Sequence, residues 1–306
     1  MNSLSLSTSW NAFRCDSGVD IVREIISLGF KKIELSFNLT GIIVDQIVEL
    51  AQAKKVEVTS VHNYCPFPDG ITRQAALPDC FSIASLDDQQ RTTAVEYTKR
   101  SIDSAQRLGG RAVVIHAGRL EIEDKTKQLI ALYDHGLQDT VQYAKLKDTA
   151  IQARAACAKE YLSQAKKSIE DLSGYAKSQG VAIGIETRYY YREIPSFEEL
   201  AILFEHFDDD NIFYWHDVGH AQLWENLGFI SHEDYLKRYA DRMLGIHLHD
   251  IRRGKDHLAP LLGEFDFKRL LGYVKPHTIK VMEAHAPATA DDIVNAKKYI
   301  ESLLCN

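Results

Sequence analysis

No Cys-x-x-Cys pair occurs in the chain, and its five cysteines (Cys15, Cys65, Cys80, Cys157, Cys305) are odd in number and scattered. A disulfide framework is therefore not expected, and a reducing compartment is. The N-terminus has neither a basic segment nor a long apolar run. No signal peptide or membrane span is expected, which leaves the cytoplasm as the default. Positive charge is not in excess: 36 Lys and Arg against 43 Asp and Glu give a net charge of −7. Without a basic field to hold a phosphate backbone, a nucleic-acid partner is not expected. No glycine-rich phosphate loop follows the first apolar run, which argues against a doubly wound nucleotide-binding sheet. No linker or composition break interrupts the 306 residues, so 1–306 reads as a single domain. What remains is 45% hydrophobic and 26% charged, ordinary for a globular enzyme.

Apolar runs and helical patterns alternate along the whole chain. Strands are expected at 3–9, 32–36, 56–61, 111–115, 181–186, 212–217, 244–249 and 279–283. Helices are expected at 19–28, 41–54 (capped by Thr40), 89–108, 149–178, 196–207, 231–240, 266–273 and 289–304. Eight strand–helix units in one chain predict an α/β fold of the (β/α)8 TIM-barrel class. The fourth unit is swollen by a charged, helical segment, giving an enlarged helical insertion over about 121–178. It reads either as a lid over a cleft or a contact in a homo-oligomer, or as a surface decoration. A long loop containing Pro66, Pro68 and Pro78 follows the third strand, as active-face loops often do.

Four consecutive strands end in a carboxylate or an imidazole. Ile183-Gly184-Ile185 runs into Glu186, Phe213-Tyr214-Trp215-His216 into Asp217, Gly245-Ile246 into His247, and Lys280-Val281-Met282 into Glu283. In a barrel these positions share the catalytic rim. Three carboxylates and one imidazole form a mostly oxygen donor set, suited to one divalent ion such as Mn, Mg, Co or Zn. Such an ion can hold two neighbouring sugar oxygens and polarise a carbonyl. A glutamate on each side of the adjacent carbon, Glu186 and Glu283, could remove and return its proton. That chemistry is isomerisation or epimerisation of a small-molecule sugar or polyol. His62, His116, Arg188, His220, His249, Arg252 and His257 are candidates for binding the substrate. A strand-end histidine can equally satisfy backbone groups, and a loop arginine can serve solubility alone. His216 should face away from Asp217 into the outer layer. His135, His206, His232 and His277 read as solvated. Tyr189-Tyr190-Tyr191 could wall the site or pack the loop.

These elements together resemble the xylose isomerase-like TIM-barrel superfamily. The resemblance rests on Ser60-Val61-His62, Val114-Ile115-His116-Ala117-Gly118, Ile185-Glu186-Thr187, Asp217-Val218-Gly219-His220-Ala221, Gly245-Ile246-His247-Leu248-His249-Asp250 and Val281-Met282-Glu283. The superfamily includes sugar isomerases and epimerases and the AP endonuclease branch. The resemblance implies that Glu186, Asp217, His247 and Glu283 hold one metal, that Glu186 and Glu283 double as the acid/base pair, and that His220 contacts substrate. In the AP endonuclease branch, His62, His116, His220 and His257 would join them around three zinc ions. That branch has an aspartate where this chain has Lys255, and the segment from His257 to Gly263 is lengthened by Leu261-Leu262. A hydrolase or lyase of that branch, and a barrel that binds metal or sugar without turnover, are the alternatives to the epimerase.

Overall fold

The computed structural model describes residues 4–208 and 211–304. Cys305, and the extreme N-terminus where the first strand was expected to begin at Ser3, lie outside those residues. Each apolar run becomes a strand buried on both faces, as parallel barrel strands must be. The strands are β1 (Leu4–Ser7), β2 (Lys32–Leu35), β3 (Glu57–His62), β4 (Ala112–Ile115), β5 (Ala182–Glu186), β6 (Ile212–Asp217) and β7 (Met243–Leu248). A hairpin, β8 (Asp250–Arg252) with β9 (Lys255–Leu258), precedes the last barrel strand, β10 (Ile279–Met282). All barrel pairs are parallel, and β1 closes the ring between β2 and β10. This is the expected (β/α)8 barrel.

The helices are α1 (Gly18–Ser27), α2 (Gly41–Gln52), α3 (Asp88–Leu108), α4 (Thr126–Asp134), α5 (Val141–Ser178), α6 (Phe197–His206), α7 (Val218–Asn226), α8 (His232–Tyr239) and α9 (Ala290–Leu304). None is long and apolar enough to cross a membrane. Caps set several starts. The Thr40 hydroxyl accepts from Ile43 N at 3.2 Å, and Ser196 and Glu199 form a reciprocal capping box on α6. The helix expected over 266–273 is only a short 3-10 turn, Phe267–Leu270. The swollen fourth unit differs in layout from its expectation. The chain turns after α4, and α5 then runs unbroken through 38 residues. Its second half buries Ala165, Ile169, Leu172 and Ala176 as the ordinary helix after β4. The excess length of this unit lies in α4 and the first half of α5.

Alternation along each strand separates two interiors. Leu6, Ile33, Val113, Ile183 and Ile246 face the helices, while Trp215, Val114 and Val281 fill the lumen. Trp215 lies across the barrel between two glycines. A Cβ on Gly245 would stand 2.2 Å from its ring, and one on Gly184 2.7 Å. Since cores this tight resist added volume, Gly245→Ala should cost about 3 kcal/mol. Urea unfolding checks this, and an unchanged midpoint would show that the indole has room to move.

His216 faces outward, as expected. Its Nδ1 lies 2.7 Å from the Tyr214 hydroxyl and its Nε2 3.0 Å from His232 Nε2. His232 is thus not solvated: it is fully buried and stacks on Phe265. Burial pushes the pKa of His216 down to about 3 and, with the charges of His216 and Arg269, drives that of His232 well below its usual value. Helix α8 begins at His232 itself, so a residue at a helix start was misread as a surface one.

Candidate active site

The inward row at the carboxyl end of the barrel is polar. Glu186 and Asp217 end β5 and β6, His247 lies one residue inside the end of β7, and Glu283 follows β10 directly. All four are 3% exposed or less. One donor atom from each lies within 4.8 Å of the others. His247 Nδ1 stands at the centre: 2.6 Å from Glu186 Oε1, 2.9 Å from Glu283 Oε2 and 3.6 Å from Asp217 Oδ2.

Its other nitrogen meets a residue that the sequence reading missed. Glu34, fully buried on β2, places Oε1 3.0 Å from His247 Nε2, while its Oε2 accepts from Ser60 Oγ at 2.7 Å. With Nε2–H donated to Glu34, the Nδ1 lone pair of a neutral His247 faces the three carboxylates. This is how metal-ligating imidazoles are commonly fixed. Glu34→Gln should therefore lower divalent-metal affinity about 10- to 100-fold, measurable by competition with a chelating dye. Unchanged affinity would show that Glu34 does not orient the ring.

The electrostatics favour a cation at this point. Burial disfavours charge on His247, yet the charges of Glu283 and Glu34 hold its pKa well above the ordinary value. Burial likewise opposes ionisation of Glu186, but hydrogen bonds from His116 and His247 keep its pKa well below the usual range. Asp217 is held down, against its burial, by the charges of His220 and His249. For Glu283 the charge of His247 outweighs burial. Three buried carboxylates around one imidazole need a positive charge among them. A divalent ion would meet that need and displace the imidazole proton, so the donor set fits the metal expected from sequence.

Around this centre the other histidines take distinct parts. His116 Nε2 lies 2.7 Å from Glu186 Oε2, and His116 Nδ1 lies 2.9 Å from Asp79 Oδ1. Burial and Arg188 lower the pKa of His116, but Asp79 raises it to about 9. His62 Nε2 is 3.5 Å from the same Glu186 oxygen. His220 follows Asp217 on α7, whose first turn Asp217 caps by accepting from His220 N at 2.8 Å. His257, on β9, has Nδ1 2.8 Å from Asp256 Oδ2; burial opposes its charge and Asp256 raises its pKa to about 10. His62, His116, Arg188, His220 and His257 all line a cavity of about 490 Å³, with Glu186 and Glu283 at its wall. Tyr189 and Tyr190 also line it, so two of the three tyrosines wall the site.

Two expected substrate contacts are not met in this way. His249 is fully buried with both nitrogens engaged: Nδ1 accepts from His257 N at 2.9 Å, and Nε2 lies 2.9 Å from Asp217 Oδ1. It positions Asp217 instead of facing the cavity. Arg252 is exposed, is not among the residues lining the cavity, and donates to the Leu262 carbonyl at 2.6 Å. The β8–β9 hairpin turns its side chain away. Arg188 does line the cavity, but it is 3% exposed and held by Glu186 at 3.0 Å, Glu193 at 3.0 Å and Asp79 at 3.4 Å.

A second and third donor group share residues with the first: His62, His116 and Glu186, and Asp217, His220, His249 and His257. A further group, His257, Glu283 and His285, adds a histidine that the sequence reading passed over; its ring lies 4.0 Å from that of His257.

The family model for xylose isomerase-like TIM barrels matches residues 22–302. The chain belongs to the xylose isomerase-like TIM-barrel family. Within solved structures of this fold, a D-tagatose 3-epimerase-like protein superposes with a TM-score of 0.66 at 19% identity, covering 99% of this chain and 97% of that one. The 3-keto-D-glucoside 4-epimerase of E. coli does so with a TM-score of 0.68 at 13% identity, covering 99% and 100%. An uncharacterized protein of Sinorhizobium fredii, y4fM, is 27% identical over 184 residues, which are 60% of this chain and 49% of y4fM. The match thus spans about half the length of that relative.

Proposed function

We propose that the protein is a metal-dependent isomerase or epimerase of a sugar or polyol, moving a proton on the carbon next to a carbonyl. The observation that carries this reading is the pair of carboxylates flanking one cation-favouring point, with Glu186 and Glu283 2.6 and 2.9 Å from His247 Nδ1. Glu186, Asp217, His247 and Glu283 would hold one divalent ion, which supplies polarisation of the substrate carbonyl when bound. Glu186 and Glu283 would act on the carbon, one removing the proton and the other returning one. His116 and Arg188 hold Glu186 Oε2 in place, and His257 stands 3.9 Å from Glu283 Oε2. His220, His257 and the Tyr189 and Tyr190 rings offer hydroxyl contacts and a wall for the sugar. Two relatives of similar fold bear the names of sugar epimerases, which accords with this reading.

The test is a panel of ketoses incubated with the protein in D2O. Inversion accompanied by solvent deuterium at the carbon beside the carbonyl is expected for at least one sugar. Inversion without deuterium would reject proton transfer through solvent-exchanging carboxylates.

The second reading is a hydrolase or lyase with more than one ion. It is favoured by the donor groups of His62 and His116 with Glu186, and of His220 and His257 with Asp217. The ion count per chain separates the two.

A further inference from the structure

Among the described residues, two cations on the cavity wall form no ion pair. Lys127, in the first turn of α4, and Arg192, in the loop between β5 and α6, both line the cavity. The other basic groups there are committed. Arg188 is held by three carboxylates. Arg119 pairs with Glu121 at 3.3 Å and donates to the Asp79 carbonyl at 2.8 Å. Lys125, two residues before Lys127 and not part of the lining, pairs with Glu123 at 2.6 Å. Asp124, on the same wall, uses Oδ1 to accept from Thr126 N at 2.9 Å. Among the described residues, by contrast, Lys127 has only the Tyr190 ring beneath its ammonium, at 5.7 Å. Arg192 has a buried Nε with no hydrogen-bond partner. A buried N–H left unmet is costly, so such groups normally find a partner in water or a ligand.

The two residues sit on segments that are fixed to one another. Tyr191 N donates to Thr126 Oγ1, and Leu120 N to the Arg192 carbonyl, each at 2.8 Å. Arg154 of α5, 5% exposed, donates to the carbonyls of Tyr191 and Glu193 on either side of Arg192. The insertion after β4 therefore builds this wall as well as supplying Lys127.

We infer that Lys127 and Arg192 form a subsite for an anionic group, phosphate or carboxylate, carried by the substrate. The inference rests on the proposed sugar chemistry at Glu186 and Glu283, and it narrows the substrate from sugars in general to sugar phosphates or sugar acids. A guanidinium and an ammonium on one wall suit such a group through charge-assisted hydrogen bonds, whereas a neutral sugar leaves both charges unmet.

Calorimetric titration of the protein as purified, at low ionic strength, tests this without requiring turnover. The ligands are inorganic phosphate, glucose 6-phosphate, glucuronate and, as the neutral control, glucose. Phosphate and at least one anionic sugar should bind more tightly than glucose. Lys127→Gln/Arg192→Gln should weaken that binding about tenfold or more, with metal content and circular dichroism unchanged. Lys127 is exposed, so Lys127→Gln alone reads the same loss should the double variant fail to fold. The preferred anionic sugar distinguishes phosphate from carboxylate. Equal affinity of wild type and variants for every anion, including no binding by any, would overturn the subsite. Anion binding lost in the variants but no epimerisation of any sugar would overturn only the proposed activity.

Discussion

Glu186→Gln should lower turnover by about 10²- to 10⁴-fold with the fold preserved, the range expected for removing a positioned general acid or base. The substitution is nearly isosteric, so the surroundings stay in place. Glu186 meets His247 and His116 on separate oxygens, at 2.6 and 2.7 Å. An amide nitrogen cannot accept a proton, and it cannot accept from both imidazoles as the carboxylate does. Proton exchange separates a chemical role from a structural one. With Glu283 intact, the variant should still wash solvent deuterium into one epimer while failing to invert it. Glu283→Gln should do the same for the other epimer. Retained inversion in either variant would remove that glutamate from the mechanism, and loss of thermal stability alongside activity would point to collapse of the centre instead.

His247→Ala should cost about 3–5 kcal/mol of stability, the usual penalty for stripping the partner from buried charge. For a chain of this length that corresponds to a fall in Tm of about 5–8 °C. Glu186, Asp217 and Glu283 are buried with pKa values held below the ordinary range, and His247 helps to lower all three. A carboxylate whose folded pKa is depressed contributes stability above its unfolded pKa and loses it as pH falls. Removing His247 raises the folded pKa values of its neighbours, so their contribution is already missing at neutral pH. The gap in Tm between wild type and variant should therefore be full at pH 7 and narrow as pH falls below about 4, where the unfolded carboxylates protonate first and the depressed folded ones follow. A gap independent of pH would assign the loss to packing around Trp215, whose ring centroid lies 5.3 Å from that of His247.

The barrel was legible because its signals are local and repeated. A buried parallel strand must be apolar, must stop at the rim, and must be followed by a helix whose caps appear in sequence, as Thr40 does. The same logic located Glu186, Asp217, His247 and Glu283, since each interrupts an apolar run near its carboxyl end. Glu34 was missed although it also interrupts one, in Lys32-Ile33-Glu34-Leu35. Its partner His247 lies on a strand distant in sequence, and nothing local marks it as inward-facing. Asp79 sits in an irregular loop with no periodicity to read, and only the folded chain brings it to His116. His249 and Arg252 show the converse. Both read as substrate-binding candidates, but the hairpin that occupies the Nδ1 of His249 and turns Arg252 outward has no repeat to announce it. The swollen fourth unit was visible as excess length, whereas its attachment to the cavity wall through Thr126 and Arg154 depends on contacts with the loop after β5.

The count of metal ions per chain, by elemental analysis of protein purified without chelator, decides between a one-ion centre and a multinuclear one. Close to one divalent ion in the wild type, and well below one in His247→Ala, is the result that the Glu186, Asp217, His247 and Glu283 centre predicts. Two or three ions per chain would contradict it, make His62, His116 and His257 ligands, and move the reaction to the hydrolytic branch of the family.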